Sequence, residues 1–334
     1  MQTIQTPAGN VTAPVPFRRR LVIAAAIGAV TCALAYAFLA RPGFSSDFFH
    51  VWAGARTLLD GGNPYTRTPT GPHNPGATPL FYPLPALLLI APLAFLSLPL
   101  AGGLFIGISS GLLAFLVMRN GYHQLPLFMS APFLMALSLG QWSPLVVAAA
   151  LEPNLGFTLA AKPNVGIAAW IHRPSVRAIT GGIALVILSL VVMPTWPIDW
   201  LKNVSGRPEK AIPILSGIGP VLALGVLRWR TREGRLFLAL ASVPQALFFY
   251  DQLLLWLIPR TLRQSLILSL CSFGLLLTWY HRIAPDEYYV RTAIPYALAL
   301  YVPALALLLL QKYGATVPLP AEGQPDTRAA QPVA

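Results

Sequence analysis

The feature that most constrains this chain is a series of apolar runs that recur from residue 21 to residue 311. A helix of about 20 apolar residues spans the hydrocarbon layer of a membrane, and many of the runs approach that length. Charged residues make up only 10% of the 334 residues, whereas a typical soluble domain has about 25%. The sequence therefore predicts an all-α integral membrane protein with many spans and no large soluble domain.

The first apolar run, residues 21–40, is interpreted as a retained span rather than a signal peptide. It is too long for the hydrophobic part of a signal sequence and lacks a clear small-residue cleavage site. Three arginines at 18–20 precede it, and basic residues beside a span favour the cytoplasmic side. We therefore expect a disordered cytoplasmic N-terminus over residues 1–17 and a multi-pass protein of the cell (inner or plasma) membrane. Residues 41–79 would then lie on the opposite side.

The formal net charge of +12 does not indicate a surface for nucleic acid. The basic residues lie in short groups at the ends of apolar runs, for example at 173–177 and 228–235, which is typical of cytoplasmic loops. Cys32 and Cys271 lie inside apolar runs, and the five histidines show no metal-ligand spacing. Nucleotide-binding motifs are also absent from the sequence. We expect no nucleic-acid partner, no metal and no cofactor.

The apolar pattern predicts 10 or 11 transmembrane helices in one membrane domain over residues 18–313. Polar and proline-containing interruptions between 140 and 171 predict a pair of short or broken helices. The backbone groups left unpaired at such breaks would have to be hydrogen-bonded by neighbouring protein or lie in a cavity. The tail, residues 314–334, is rich in Pro, Ala and Gln and is expected to be disordered. The other expected spans are 21–40, 80–98, 101–118, 125–139, 176–193, 212–227, 236–258, 266–280 and 292–311.

The longest polar connection, residues 41–79, begins with an amphipathic segment. Gly61 and Pro64 are suited to ending a helix there. Such a helix is expected to lie flat on the membrane with its apolar side toward the lipid. Asp47 at its start has two interpretations, an N-cap or a general base held at the water–lipid boundary. The apolar side chains that recur at the spacing of one helical face are Phe48, Val51, Trp52, Ala55, Leu58 and Leu59.

Three ionisable residues, Glu152, Lys162 and Asp251, fall inside or beside later apolar runs. A charge within a membrane segment is costly and is a functional candidate by default. Asp251 could instead make a structural hydrogen bond to a neighbouring helix. Lys162 could meet a phosphate, pair with Glu152, or extend its ammonium group to the membrane surface. The residues alone leave these alternatives open.

Several segments, in order, resemble glycosyltransferase family 87, whose members are GT-C-fold mannosyltransferases that use polyprenol-phosphate-mannose. The resemblance covers roughly residues 20–260 and is most specific in the first loop. Near residue 250 the chain departs from the family, which often has paired histidines after a Ser-Pro. The segments that carry the resemblance are Ser46-Asp47-Phe48, Trp52-Ala53, Leu58-Leu59, Pro64-Tyr65, Phe81-Tyr82-Pro83-Leu84-Pro85, Gly140-Gln141 and Leu159-Ala160-Ala161-Lys162-Pro163.

The resemblance implies a polytopic GT-C-like bundle that transfers a hexose, expected to be mannose, with inversion. The donor would be a polyprenyl-phosphate sugar, the acceptor a lipid or polysaccharide on the extracytoplasmic side, and the general base Asp47. No cofactor or metal is required. Cations available for the donor phosphate are Arg56, Lys162, Lys202, Arg207 and Lys210. The residues expected to bind donor or acceptor are His50, Arg56, Tyr65, Gln141, Lys162, Tyr250, Asp251 and Gln252.

Two other functions compete with this one. A non-catalytic GT-C-like subunit of a larger membrane assembly fits the short chain and the departure near residue 250, and it would have membrane-protein partners. A transporter or flippase for a lipid-linked sugar would depend on the intramembrane charges rather than on Asp47. The absence of a visible internal repeat weakens the transporter, because many transporters consist of paired halves.

Overall fold

The computed structural model describes residues 15–66, 73–74, 77–205, 211–245, 250–275, 294 and 296–311. Within them every regular element is a helix, apart from one isolated antiparallel bridge between Ala211 and Gln245. The predicted all-α class is confirmed. The expected disordered ends lie outside these residues, except for residues 15–17: Val15 is buried, Pro16 is the N-cap of the first helix, and Phe17 begins that helix.

The described helices have between 3 and 23 residues. The longest 3-10 helices are Pro153–Ala161 and Gly219–Arg228, and a π-helical turn covers Ala297–Tyr301. The α-helices are α1 (Phe17–Leu39), α2 (Asp47–Leu59), α3 (Leu84–Ile90), α4 (Leu98–Val117), α5 (Ala131–Leu139), α6 (Ser143–Leu151), α7 (Pro163–His172), α8 (Val176–Val192), α9 (Trp196–Ser205), α10 (Arg232–Ser242), α11 (Leu262–Ser272) and α12 (Val302–Leu310).

Two helices, α1 and α4, are each long and apolar enough to cross a membrane. Two bent pairs of helices give two more candidate spans if each pair is counted as one span. These pairs are α5 with α6, bent by 118°, and α8 with α9, bent by 101°. The described residues therefore contain two to four candidate spans, as expected of a membrane protein. Other apolar runs form shorter helices, such as Leu84–Leu93 and Ala297–Leu310. The total of 10 or 11 spans, the GT-C-like bundle and the single domain over 18–313 stay predictions.

The helices α1 and α4 pack as an antiparallel pair with closely approaching backbones. The Arg20 guanidinium, near the start of α1, donates two hydrogen bonds to the Phe115 carbonyl near the end of α4, at 2.8 and 3.0 Å. At mid-length, a Cβ atom added to Gly107 would lie 2.8 Å from the Gly28 carbonyl oxygen. Small residues that allow such close approach are common where helices associate in membranes.

The interrupted region, residues 140–171, folds as short helices, and the chain bends by 118° where α5 is followed by α6. The sequence predicts a pair of short or broken helices, and the structure contains three: α6, the 3-10 helix Pro153–Ala161, and α7. Pro153 and Pro163 each begin a helix. The N–H that proline lacks would have no intrahelical acceptor at this position, so no hydrogen bond is lost. The two prolines thus divide one apolar run into three helices.

The predicted amphipathic helix is α2, and it ends as its glycines indicate. Gly61 has a φ of +76°. The N–H groups of Gly61 and Gly62 bond to the carbonyls of Leu58 and Thr57 at 3.0 and 2.8 Å, which is the Schellman arrangement. The helix packs on α3 and α4, so protein covers the side that we expected to lie on lipid. The buried residues of α2 are Phe48, Phe49, Val51, Ala53, Gly54 and Ala55.

Basic side chains gather where several helices begin or end. Arg119, after α4, contacts Glu152, after α6, at 2.6 Å. Arg173, after α7, donates to the Leu151 carbonyl at 2.7 Å. These contacts place the ends of α4, α6 and α7 next to the start of α1, where the Arg20 guanidinium bonds to α4.

The start of α10 belongs to the same end of the molecule. Glu233 lies 3.8 Å from Arg260 and close to His172, the last residue of α7. Burial lowers the pKa of His172 to about 4, and the neighbouring Glu233 only partly opposes this effect. We call this region the basic end, and its defining residues are Arg20, Arg119, Glu152, His172, Arg173, Glu233 and Arg260.

Candidate functional site

A cavity of about 330 Å³ lies away from the basic end. Its walls come from the start of α2, the loop residues 78–83, the start of α7, one side of α9 and the segments 244–245 and 250–251. The lengths of α6 and α7 separate it from the basic end by about 15 Å, at 1.5 Å per helical residue. The cavity therefore lies toward the opposite ends of these helices.

Asp47 lines the cavity and does not cap α2. The N-cap is Ser46, whose hydroxyl accepts a hydrogen bond from the Phe49 N–H at 3.3 Å. Asp47 is the first helical residue, and its side chain is half-buried. The capping interpretation of Asp47 is therefore wrong, and its carboxylate is available for another role.

One oxygen of the Asp47 carboxylate is held by two donors. The Gln141 side-chain amide donates to Oδ2, and the Tyr250 hydroxyl donates to the same oxygen at 3.2 Å. Among the described residues, no hydrogen bond reaches Asp47 Oδ1. The carboxylate is thus fixed through one oxygen, while the other is left for a group in the cavity.

Gly140 places Gln141 at this carboxylate. Gly140 ends α5 with a φ of +69°, a left-handed conformation that favours glycine. The Gln141 N–H bonds to the Ala136 carbonyl at 2.8 Å, which closes the helix end. A Cβ atom on Gly140 would lie 2.5 Å from the Phe48 Cβ, beside Asp47. Only glycine allows α2 and the end of α5 to approach this closely.

A buried ion pair is connected to the same amide. Lys162 Nζ lies 2.5 Å from Asp251 Oδ1, and both side chains are almost fully buried. Lys162 also donates to Gln141 Oε1 at 3.1 Å, and the Tyr82 hydroxyl donates to that oxygen at 3.2 Å. Because its oxygen faces donors, the Gln141 amide directs its NH₂ to Asp47. A continuous chain of polar contacts thus joins Asp251, Lys162, Gln141 and Asp47.

Tyr250 closes this chain on the cavity side. Its hydroxyl bonds to Asp47, and its ring lies 4.4 Å from Lys162 Nζ, within the range of a cation–π contact. Glu152 is not the partner of Lys162, since it pairs with Arg119 at the basic end. Of the three intramembrane charges singled out from the sequence, two therefore meet here and the third serves another end of the molecule.

The structure brings some other predicted site residues to the cavity and leaves others elsewhere. His50 lines the cavity. Arg56 is exposed over the Trp52 ring at 5.2 Å and does not line it. Tyr65 is buried and donates to the Tyr82 carbonyl at 3.1 Å, and burial raises its pKa. Its role is to hold the loop.

Two glutamines and three further predicted cations complete this comparison. Gln141 is fully buried and Gln252 nearly so, and neither lines the cavity, so neither is placed to bind a substrate directly. Gln252 donates to the Gln245 side chain. Lys202 is exposed, 3.4 Å from Asp199. The other two cations proposed for a phosphate, Arg207 and Lys210, lie outside the described residues.

The cavity also has lining residues that sequence reasoning did not single out as site residues. The Trp200 indole donates to the Phe81 carbonyl at 2.8 Å, and the Asn164 amide donates to the Pro244 carbonyl at 2.8 Å. Trp196 and Trp200, four residues apart, would share one helix face, but Pro197, Asp199 and Asn203 interrupt the apolar pattern, so the sequence gives no clear signal for this helix.

No protein-family model, curated protein or solved structure matches this chain. The described residues also contain no group of three or more His, Cys, Asp or Glu side chains that could hold a metal ion. Any assignment of function therefore has to come from the cavity and its polar contacts.

Proposed function

We propose that this chain is an integral membrane glycosyltransferase that moves a hexose from a polyprenyl-phosphate sugar to a lipid or polysaccharide acceptor. The observation that carries the proposal is the Asp47 carboxylate, which faces the cavity with one oxygen held by two donors and the other without a partner in the described chain. A general base has to be oriented in this way, because it must meet the acceptor hydroxyl within hydrogen-bond distance.

In this proposal, Asp47 Oδ1 accepts the proton of the acceptor hydroxyl. The acceptor oxygen forms a bond to the anomeric carbon from the side opposite the phosphate. The bond between that carbon and the phosphate oxygen breaks, and the phosphate leaves with the electron pair. The configuration at the anomeric carbon is thereby inverted, and the step requires no metal, nucleotide or redox partner.

Lys162 is the cation best placed to interact with the leaving phosphate. It lines the cavity, and an ammonium group has three donors. Contacts with Asp251 and Gln141 use two of them. The third is available to a phosphate oxygen, and His50, which also lines the cavity, is a second candidate contact. Holding Lys162 between fixed acceptors pre-organises the charge that stabilises the departing group.

The position of the cavity fits a substrate whose phosphate stays at a membrane surface. The basic end corresponds to the cytoplasmic side in the positive-inside distribution, and the cavity lies toward the other ends of α6 and α7. We propose that the N-terminus is cytoplasmic and that the site faces the extracytoplasmic side. Mannose as the hexose and the plasma membrane as the location rest on the resemblance to glycosyltransferase family 87.

A transporter for a lipid-linked sugar is the second candidate. The buried pair between Lys162 and Asp251 favours it, because such charges within membrane proteins often lie on substrate or ion pathways. The two functions differ in one outcome: a transferase makes a new glycosidic bond, and a transporter only changes the side on which a substrate lies.

The test is a transfer assay with purified protein. The protein is incubated in detergent with polyprenyl-phosphate mannose and a total membrane-lipid extract, and mass spectrometry follows the labelled sugar. The proposal expects a new product whose anomeric configuration is opposite to that of the donor. Retention of configuration would contradict the mechanism. No product from any polyprenyl-phosphate hexose, combined with movement of donor across vesicles, would replace the transferase with the transporter.

A further inference from the structure

The helix α9 has its polar side chains toward the protein and an apolar stripe toward the outside. Asn63 donates to Asp199 at 3.0 Å, and Asn203 donates to the carbonyls of Tyr65 and Leu80 at 3.3 and 3.2 Å. These bonds attach α9 to the first loop. An amphipathic helix on a water-soluble protein has the reverse arrangement, with its polar side outward.

The outward side of α9 carries large apolar side chains. Ile198 is 61% exposed and Leu201 is 56% exposed, and their spacing of three residues places them on one stripe. The Lys202 side chain, next to Leu201, is 71% exposed. Two apolar residues beside a cation are suited to the boundary between acyl chains and charged lipid headgroups.

The direction of α9 relative to α8 supports the same environment. The helix α8, which counts as a candidate span only together with α9, begins just after Arg173 at the basic end, and its 17 residues extend about 25 Å at 1.5 Å per residue. That length crosses most of a hydrocarbon layer of about 30 Å. The chain then turns by 101° into α9. The exposed apolar surface continues through the turn, since Val191 and Val192 of α8 are 75% and 46% exposed.

We infer that α9 lies in the plane of the membrane interface at the cavity end of the molecule. Ile198 and Leu201 insert into the leaflet, and Lys202 contacts lipid phosphates. The opposite side of the helix supplies Trp200 and Val204 to the cavity wall. One wall of the cavity is therefore held at the depth of the lipid headgroups. This inference does not depend on the proposed transferase activity, and its test measures no activity.

The test is a depth measurement with nitroxide spin labels in a full-length background without native thiols, Cys32→Ser with Cys271→Ser. Single labels are placed at Ile198→Cys and Leu201→Cys. Ile187→Cys, 56% exposed on α8, is the reference for the bilayer interior, and Asp60→Cys, exposed after α2, is the reference for water. The protein is reconstituted in phosphatidylcholine and phosphatidylglycerol vesicles, and accessibilities to oxygen and to a water-soluble nickel complex are compared.

We expect oxygen to reach both α9 labels more readily than the nickel complex does. The labels should lie about 5–10 Å below the phosphates, shallower than the Ile187→Cys label. Access of the nickel complex equal to that at Asp60→Cys would place α9 in water and overturn the inference. Shielding from both reagents would show that protein, not lipid, covers the stripe, and would also overturn it. A thermal unfolding scan of each labelled variant confirms that the fold is retained.

Discussion

At the scale of single residues, Ser46 and Asp47 perform two tasks that are hard to separate in the sequence. Both residue types cap helices well. The structure gives the cap to Ser46, whose hydroxyl accepts from the Phe49 N–H, and directs Asp47 into the cavity. Stability of α2 and chemistry at the site are therefore expected to depend on different side chains.

Loss of the Ser46 N-cap should lower the stability of the protein. We predict that Ser46→Ala lowers the free energy of unfolding by about 1 kcal/mol, because the first turn of α2 loses a hydrogen bond. Ser97→Ala is the matched control, since Ser97 stands at the N-cap of α4 without a side-chain bond. Unfolding in detergent measures both. Equal losses in the two variants would show that the Ser46 bond does not stabilise α2.

Loss of one partner from the buried pair of Lys162 and Asp251 should lower stability far more than loss of one partner from an exposed pair. We predict that Lys162→Met lowers stability by about 3–5 kcal/mol, because it leaves a buried carboxylate without compensation. Lys202→Met, at an exposed pair, should change it by less than about 1 kcal/mol. The double variant of Lys162→Met with Asp251→Leu should recover most of the stability. A double variant as unstable as Lys162→Met would contradict the assignment.

The important charges of the site could be predicted from the sequence, but most of the contacts could not. Asp47, Lys162 and Asp251 are noticeable because charges are rare in an apolar chain. Arg56 and Tyr65 share the same first loop, yet the phase of α2 turns Arg56 to the outside and the loop fold buries Tyr65. Such orientations depend on contacts between distant segments, which no local pattern records.

At the scale of elements, the end of α5 determines how the site is assembled. Gly140 has a positive φ and contacts Phe48 of α2, so one residue both ends a helix and sets the position of Gln141. Gly61 has the positive φ without any close neighbour, and Gly182 lies in α8 with neither constraint. These three glycines allow strain and crowding to be separated.

We predict that Gly140→Ala is the most harmful of the three alanine substitutions. Gly61→Ala should cost about 1 kcal/mol from backbone strain, and Gly182→Ala should be neutral or slightly stabilising within a helix. Gly140→Ala adds the clash with Phe48 and should cost about 1–3 kcal/mol, with a loss of transfer activity because Gln141 moves. Unfolding and transfer assays on all three variants provide the measurement. Equal losses at Gly140 and Gly61 would exclude a contribution from the Phe48 contact.

Local signals predicted α2 well and α9 not at all. Gly61 and Pro64 end α2 through their own backbone preferences, so the boundary is readable in the sequence. Residues 194–211 lie between the expected spans 176–193 and 212–227 and do not predict a helix, because Pro197, Asp199 and Asn203 interrupt the apolar pattern. In the structure Asp199 and Asn203 bond to the first loop instead of to water. A tertiary partner, absent from the local sequence, turns this segment into a helix.

At the scale of the whole molecule, the basic end and the cavity end differ in chemistry. The distribution of arginines predicted one basic side, and contacts between α4, α6, α7 and α10 bring those arginines together. The number of spans was less readable. Prolines such as Pro153 and Pro163 restart helices within apolar runs, so a run long enough to cross a membrane can fold as two short helices.

The basic end should make stability depend on pH. His172 has a pKa of about 4 in the folded protein and about 6.5 when unfolded. Between these values the unfolded state binds more protons, so stability contributed by neutral His172 is complete above pH 6.5 and is lost as pH falls toward 4. We predict that the melting temperature falls less between pH 7 and pH 4.5 in His172→Gln than in wild type. Identical falls would mean that His172 is accessible to water.

The most direct test of the central claim is the rate of sugar transfer by Asp47→Asn. The substitution keeps the size of the side chain, and Asp60→Asn, at the exposed end of the same helix, controls for a general effect of losing a carboxylate. With Asp47 as the general base, Asp47→Asn should lower kcat by about 10²–10⁴-fold with an unchanged melting temperature, and Asp60→Asn should retain wild-type activity. Transfer by Asp47→Asn at the wild-type rate would show that Asp47 is not the base.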